Sequence, residues 1–314
     1  MKRSSIVLAV SCWIFSLCSC SSSSSGDGDE DSLSILFTGD VLLDRGVRPI
    51  VEAQGISYLF AEVEPCFRKA DAVVINLETP ITDTLSPINK KYIFHADSRW
   101  ASELRRVGIT HAAMANNHTV DQGEQGLQAT YRNLREAGII PVGYGKTTRQ
   151  LLEPNVLTKG SQRVVFFNAI TMPIENWHQA DEGPCICQPS ADQLTEAVRR
   201  YHASCPDVRI VVVIHWGVEF QAQPSIGQRM LAARLSEAGA DSIIGHHPHV
   251  LQPIDTIGST LVFFSLGNFV FDQHPPITQR SMMVNLHFHP DASVTYDTIP
   301  VQIKRCRPTL SKGM

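Results

Sequence analysis

Side chains able to bind metal ions or move protons recur at five places where an apolar run stops. Asp40 follows Leu33–Phe37 after Gly39, and Asn76-Leu77-Glu78 closes the run that begins at Ala72. Asn116-Asn117-His118 follows Ala112–Ala115, His215 closes Val211–Ile214, and Gly245-His246-His247-Pro248-His249 follows Ser242–Ile244. Carboxylate, amide and imidazole are hard or borderline donors for divalent cations, and a rigid element that ends in a turn can aim them. Singly, an Asp after a strand reads as a helix cap, and a lone His as a packed core residue. Five such positions in series point instead to a metal-assisted site.

The elements that must position these residues are short. Leu33–Phe37, Ala72–Leu77, Val164–Ala169, Val208–Ile214, Ser242–Gly245, Leu261–Leu266 and Ser281–Phe288 have the length and β-branched content of buried strands. Between them, Gln125–Ala137 and Gln228–Ala238 carry the i, i+4 apolar spacing of one-sided helices. Gly108, Gly138 and Gly239 each stand where a helix would end in a left-handed residue before the next strand. This alternation predicts an α/β fold, with ligands beyond the carboxyl ends of the strands. Pro80–Ala96 and Thr171–Ser190 are longer than connectors need. No Pro/Gly linker divides the chain after Ser32, so residues 32–314 read as one domain.

Composition narrows the function classes. Of 314 residues, 43% are apolar and 18% charged, which rules out disorder for most of the chain. Twenty-seven Lys and Arg stand against 31 Asp and Glu, so no overall positive field exists to attract nucleic acid. Lys2 and Arg3 precede an apolar run, Ile6–Leu17, too short to span a bilayer but laid out as a secretory signal. Leu17-Cys18-Ser19-Cys20 resembles the lipobox of bacterial lipoproteins. The expectation is a signal peptide over 1–19, lipidation of Cys20, and a Ser/Asp-rich tether over 20–31. The chain would then sit in the cell envelope, held to a bacterial membrane at its periplasmic face or outer surface. Cys66, Cys185, Cys187, Cys205 and Cys306 remain, an odd number without an evident disulfide framework.

The order Asp, acid, Asn-His, His, His-x-His is similar to that of the calcineurin-like metallophosphatase superfamily. Asn117-His118-Thr119-Val120-Asp121-Gln122-Gly123 resembles the Asn-His-Glu-Phe-Asp-x-Gly segment of its 5′-nucleotidase branch. More closely, Phe37-Thr38-Gly39-Asp40-Val41, Asn76-Leu77-Glu78-Thr79-Pro80, His215-Trp216-Gly217, Gly245-His246-His247-Pro248-His249-Val250 and Ser265-Leu266-Gly267-Asn268-Phe269 resemble the poly-gamma-glutamate capsule biosynthesis family, CapA-like. The resemblance runs from about Ser34 to Phe271. It implies a four-layer sandwich, two mixed sheets flanked by helices, and two divalent ions (Mn, Zn or Fe). By this resemblance Asp40 and His249 hold one ion, Glu78 bridges, and Asn117, His215 and His247 hold the second. His118 would then act on the leaving oxygen or the transition state, with Asp121 orienting its ring. Arg45, with its fork of donors, and Asn76 are expected to meet the substrate.

Two positions depart from the superfamily pattern: Leu42 stands where a histidine ligand is usual, and Glu78 where an Asp is usual. Asp44 is a candidate replacement for the lost ligand, or else a carboxylate favoured by a helix N-terminus. Two functions follow. In one, the protein is an accessory component of polyglutamate assembly or export, partnered with a polyglutamate ligase and a polytopic membrane subunit. In the other, it is a metal-dependent hydrolase of a phosphoester or of an amide in an anionic polymer. A structural zinc is disfavoured because such sites prefer four closed Cys/His ligands.

Overall fold

The computed structural model describes residues 32–179 and 182–311. The expected signal peptide over 1–19, the tether over 20–31 and Cys20 lie outside the described residues. In chain order the strands are Leu33–Val41 (β1), Ala72–Leu77 (β2), His111–Ala113 (β3), Ile140–Val142 (β4), Tyr144–Thr147 (β5), Asn155–Lys159 (β6), Gln162–Ile170 (β7) and Glu182–Ile186 (β8). They continue with Arg209–His215 (β9), Ser242–His246 (β10), Ile254–Ile257 (β11), Thr260–Phe263 (β12), Asn268–Val270 (β13), Arg280–Phe288 (β14), Val294–Lys304 (β15) and Arg307–Leu310 (β16). One sheet has the order β16-β15-β14-β1-β2-β3-β4, with β13 beside the end of β1; a second has β11-β12-β10-β9-β7-β6; β5 and β8 form a small ribbon. The first sheet is parallel from β1 to the edge strand β4 and antiparallel from β1 to β16, and in the second a parallel centre is flanked by antiparallel β6 and β11, so both are mixed.

The pleat sorts side chains into layers, because successive residues of a strand face opposite ways. Ile35, Phe37 and Val74 of the first sheet pack with Val164, Phe166, Val211 and Val213 of the second, closing a dry layer between the sheets. Phe37 and Phe166 meet edge to face at 6.2 Å. Burying each such side chain is worth roughly 1.5–3 kcal/mol. The intervening residues Leu36, Val73, Ile75, Ile210, Val212 and Ile214 belong to a different core. That core is shared with Leu127 and Leu134 of the helix Gly123–Glu136 and with Leu231 and Leu235 of the helix Ile226–Glu237. The first helix lies beside β4 and the second beside β11, so helices cover both sheets and the four-layer sandwich is present.

The glycine-terminated helices behave as expected. At Gly138 (φ 79°) the glycine N–H donates to Arg135 O, and the next N–H, of Ile139, donates to Leu134 O at 2.9 Å. Gly108 and Gly239 close their helices with the same pair of bonds, and β3, β4 and β10 follow directly. Boundaries shift elsewhere. β1 runs on from Phe37 to Val41, because β2 and β13 both pair with its last residues. The strand expected to reach Leu266 stops at Phe263. Thr171–Ser190, read as a long loop, contains β8, which pairs with β5.

Parallel pairing brings the functional residues to one edge. Asp40 stands opposite Asn76 in the register of β1 and β2, and His215 stands opposite His246 in that of β9 and β10. Gly39 allows the close approach of β1 to the Gly267 segment: a Cβ there would lie 2.2 Å from the Gly267 carbonyl oxygen.

Candidate metal centre

At the carboxyl ends of β1, β2, β9 and β10 a polar cluster is closed off from solvent. Asp40 and Glu78 are fully buried, and His215, His246, His247 and His249 are each at most 3% exposed. Asp40 Oδ1 lies 3.0 Å from His246 Nδ1, and Asp40 Oδ2 lies 3.0 Å from His249 Nδ1. Asn76 donates from Nδ2 to Asp40 Oδ1 at 2.8 Å and to Glu78 Oε1 at 2.9 Å, holding the two carboxylates together. His215 Nε2 lies 3.0 Å from Asn117 Oδ1, and the His215 and His247 rings are 4.8 Å apart. The turn that carries His247 and His249 adopts left-handed backbone at both residues, φ 97° and 58°. Non-glycine residues take that conformation at a cost, and it recurs at functional sites.

Within this ligand cluster two buried side-chain atoms have no hydrogen-bond partner, Glu78 Oε2 and His247 Nδ1. Glu78 Oε2 faces His249 Nε2 at 3.9 Å, beyond hydrogen-bond reach, and a buried polar atom left without a hydrogen bond costs about 1–3 kcal/mol. Ligand atoms of Asp40, Glu78 and His249 lie within 4.8 Å of one another, as do those of Glu219, His247 and His249. Buried carboxylates and imidazoles with orphaned lone pairs fit a divalent cation in donor type and in what they leave unsatisfied.

Beside this cluster stands a second one built on His118. His118 Nδ1 lies 2.8 Å from Asp121 Oδ2, and the Phe94 N–H donates to the same oxygen at 2.9 Å. Lys90 donates to Asp121 Oδ1 at 2.7 Å and to the Asn117 carbonyl, with its Nζ 3.3 Å from His118 Nδ1. The Lys90 side chain is 6% exposed and Asp121 is fully buried, so this is a buried ion pair. The Phe94 ring packs against that of His118 at a tilt, 4.3 Å between centroids. Asn116 forms the turn that delivers His118: its Oδ1 accepts from the N–H groups of His118 and Thr119, both at 3.0 Å. A cleft of about 470 Å³ opens over both clusters, lined by Lys90, Tyr92, Asn117, His118, Glu219 and His247 among others.

Electrostatics follow from burial and from neighbours. Burial opposes the charge on Asp40, but hydrogen bonds from His246 and His249 outweigh it and hold the carboxyl well below its usual range. Burial and the Asp40 charge push Glu78 well above its usual range. Burial would depress His249, yet Glu78 and Asp40 raise it to about 9. Burial lowers His118 to about 4 and His247 to about 3, and burial together with His247 holds His215 down. Those three imidazoles are neutral near pH 7, the form in which an imidazole can ligate a metal or accept a proton.

The sequence-expected residues converge with few exceptions. Asp40, Glu78, Asn117, His215, His247 and His249 form one cluster, and His118 and Asp121 form the pair beside it. Asn76, expected at the substrate, lies instead behind the carboxylates at 1% exposure, with its amide donors spent on them. Arg45 is ion-paired with Asp272 and its guanidinium lies 5.0 Å from Phe94 and 5.5 Å from Phe271; it is not among the cleft-lining residues. Leu42 is fully buried against Phe94 and Phe271. Asp44 does not replace the missing ligand: it accepts from Arg48 Nε at 3.1 Å and from the His95 N–H at 2.8 Å. Lys90 and Glu219 were missed. Lys90 lies in the long Pro80–Ala96 stretch, whose length marks the segment but not the residue, and the position of Glu219 two residues past the strand-end His215-Trp216-Gly217 was the available signal for it.

Comparison with known proteins agrees with this geometry. Residues 34–273 match the sequence pattern described as Bacterial capsule synthesis protein PGA_cap. The PGA biosynthesis protein CapA of Bacillus subtilis is 31% identical over 278 residues, covering 88% of this chain and 73% of that one. The capsule biosynthesis protein CapA of Bacillus anthracis is 30% identical over 284 residues, covering 88% and 69%. A probable polyglutamine synthesis accessory protein of Mycobacterium tuberculosis is 27% identical over 257 residues, covering 76% and 67%. Among solved structures, the 5′-nucleotidase precursor from Thermus thermophilus aligns with a TM-score of 0.50 at 15% identity over 89% of this chain. The chain spans 54% of that protein's length, and the likeness establishes the metallophosphatase fold. With one family pattern across most of the folded region and relatives at 30% identity or above, the chain belongs to the bacterial capsule synthesis protein family PGA_cap.

Proposed function

We propose that this chain is an envelope protein for the synthesis or export of a poly-gamma-glutamate type of polymer, and that its strand-end cluster holds divalent cations. The observation that carries the metal reading is the buried, unpartnered Glu78 Oε2 beside Asp40 and His249. Asp40, Glu78 and His249 would hold one ion, and Asn117, His215 and His247 a second that shares Glu78. Bound there, divalent cations supply positive charge to anionic oxygens, such as polymer carboxylates or a phosphoryl group. Asn76 sets the spacing of the two carboxylates, and His246 orients Asp40. In this reading residues 1–19 are removed, Cys20 carries lipid, residues 20–31 form a tether, and the partners are a polyglutamate ligase and a polytopic membrane subunit. Metal analysis of the purified full-length chain tests the centre: bound Mn²⁺ or Zn²⁺ should fall sharply in Glu78→Gln, and a wild-type chain that binds neither refutes it. Deleting the gene should abolish or shorten the polymer, and unchanged polymer refutes the accessory role.

The cluster of His118, Asp121 and Lys90 favours a second reading, hydrolysis of a phosphoester or of a polymer amide. A neutral imidazole lining the cleft, fixed by a buried carboxylate, is suited to handling a proton at the scissile bond. Hydrolysis of a generic phosphodiester with Mn²⁺ should drop about 10²–10⁴-fold in His118→Ala while metal content is unchanged. Activity that survives this substitution sinks the hydrolase reading.

A further inference from the structure

We propose that Glu219 is a protein ligand of the first ion, completing the donor set of Asp40, Glu78 and His249 from the cleft side. The inference rests on the metal reading above and adds a residue to it. The two groups of ligand atoms, Asp40 with Glu78 and His249, and Glu219 with His247 and His249, have His249 in common. Glu219 therefore borders the same space as the buried carboxylates. On another side that space is walled by apolar groups: the Phe271 ring lies 4.8 Å from that of His249 at a tilt and packs with Leu42 and Phe94, none of which can donate to a cation.

The segment bearing Glu219 is fastened to the histidine turn by backbone bonds at both ends. The Trp216 N–H donates to the His246 carbonyl at 3.1 Å, and the Phe220 N–H donates to the Pro248 carbonyl at 2.8 Å. Phe220 takes left-handed backbone, φ 63°, to make the second bond. Glu219 is exposed, and among the described residues no Lys or Arg lies within ion-pair distance of it. A carboxylate grouped with His247 and His249, next to a cluster in which His247 Nδ1 and Glu78 Oε2 lack hydrogen-bond partners, is an arrangement a cation would draw together. Separations up to 4.8 Å exceed by a little the ~3–4 Å between ligands that share one ion at ~2.1 Å bonds, so a small rotation of the exposed side chain closes the shell. With Glu219 the first ion has three carboxylates and one imidazole, an oxygen-rich set that suits Mn²⁺ or Fe²⁺ better than softer donors would.

The test is a Mn²⁺ titration of the full-length chain, followed by calorimetry and by electron paramagnetic resonance, on wild type, Glu219→Gln and Glu219→Asp. Because Glu219 is exposed, both variants should unfold at the wild-type temperature in the metal-free state. In Glu219→Gln one of two Mn²⁺ ions should bind at least about tenfold more weakly, with the other little changed. Glu219→Asp should lie between. Wild-type uptake of Mn²⁺ with a superimposable Glu219→Gln curve overturns the role of Glu219 alone. A wild-type chain that takes up no Mn²⁺ overturns it together with the metal reading.

Discussion

Asp40, Glu78 and His249 together hold at least one proton in the metal-free chain, since Glu78 is raised by burial and by Asp40, and His249 is raised to about 9 by the two carboxylates. A cation entering the cluster must displace it. Apparent Mn²⁺ affinity should therefore tighten by up to about tenfold per pH unit until the pH passes His249, measured by calorimetry. Metal-free stability runs the other way. The folded value of about 9 lies above the ordinary 6.5, so this contribution is complete below 6.5 and is lost as pH rises through about 9. Urea midpoints in chelator should fall across that window, and His249→Gln should flatten the fall. Lys90→Met removes one partner of a buried ion pair and should cost about 3–5 kcal/mol, read from the same unfolding curves. The ligand residues were legible because each closes an apolar run. Lys90 was not, because nothing in its own segment shows that a distant Asp121 will need a cation.

At the scale of elements, the consequence of close approach is testable at Gly39. A methyl group there would meet the Gly267 carbonyl oxygen, which is backbone and cannot rotate away. Gly39→Ala should cost about 2–4 kcal/mol and loosen Asp40, so that the urea midpoint and the Mn²⁺ content fall together. The central strands could be read from sequence because they are buried on both faces and run as unbroken β-branched stretches, as in Ile210–Ile214. Elements outside the buried centre carried no such signal: β15, although paired on both sides, has exposed residues such as Tyr296 along it, and β4 and β13 are three residues each. The helix Ala191–Ser204 went unread although Ser190 and Gln193 form a capping box at its start.

For the whole molecule, the four layers matter because parallel strands of two sheets end at one edge, and residues up to 209 positions apart meet there, as Asp40 and His249 do. That convergence was foreseen by family resemblance; strand-end spacing alone could not say that the two sheets share an edge. The expected anchor is a property of the entire chain. Cys20→Ser should shift it from the membrane to the soluble fraction and abolish labelling by a fatty-acid analogue, and retention with labelling intact argues against lipidation at Cys20. The left-handed backbone at His247 and His249 has an evolutionary consequence. Gly or Asn would occupy those positions with less strain, so the histidines persist only while selection maintains the site. A lineage relieved of that selection should drift toward Gly or Asn at His247 and gain thermal stability there, whereas loss of His249 would leave Asp40 and Glu78 buried without their cationic partner.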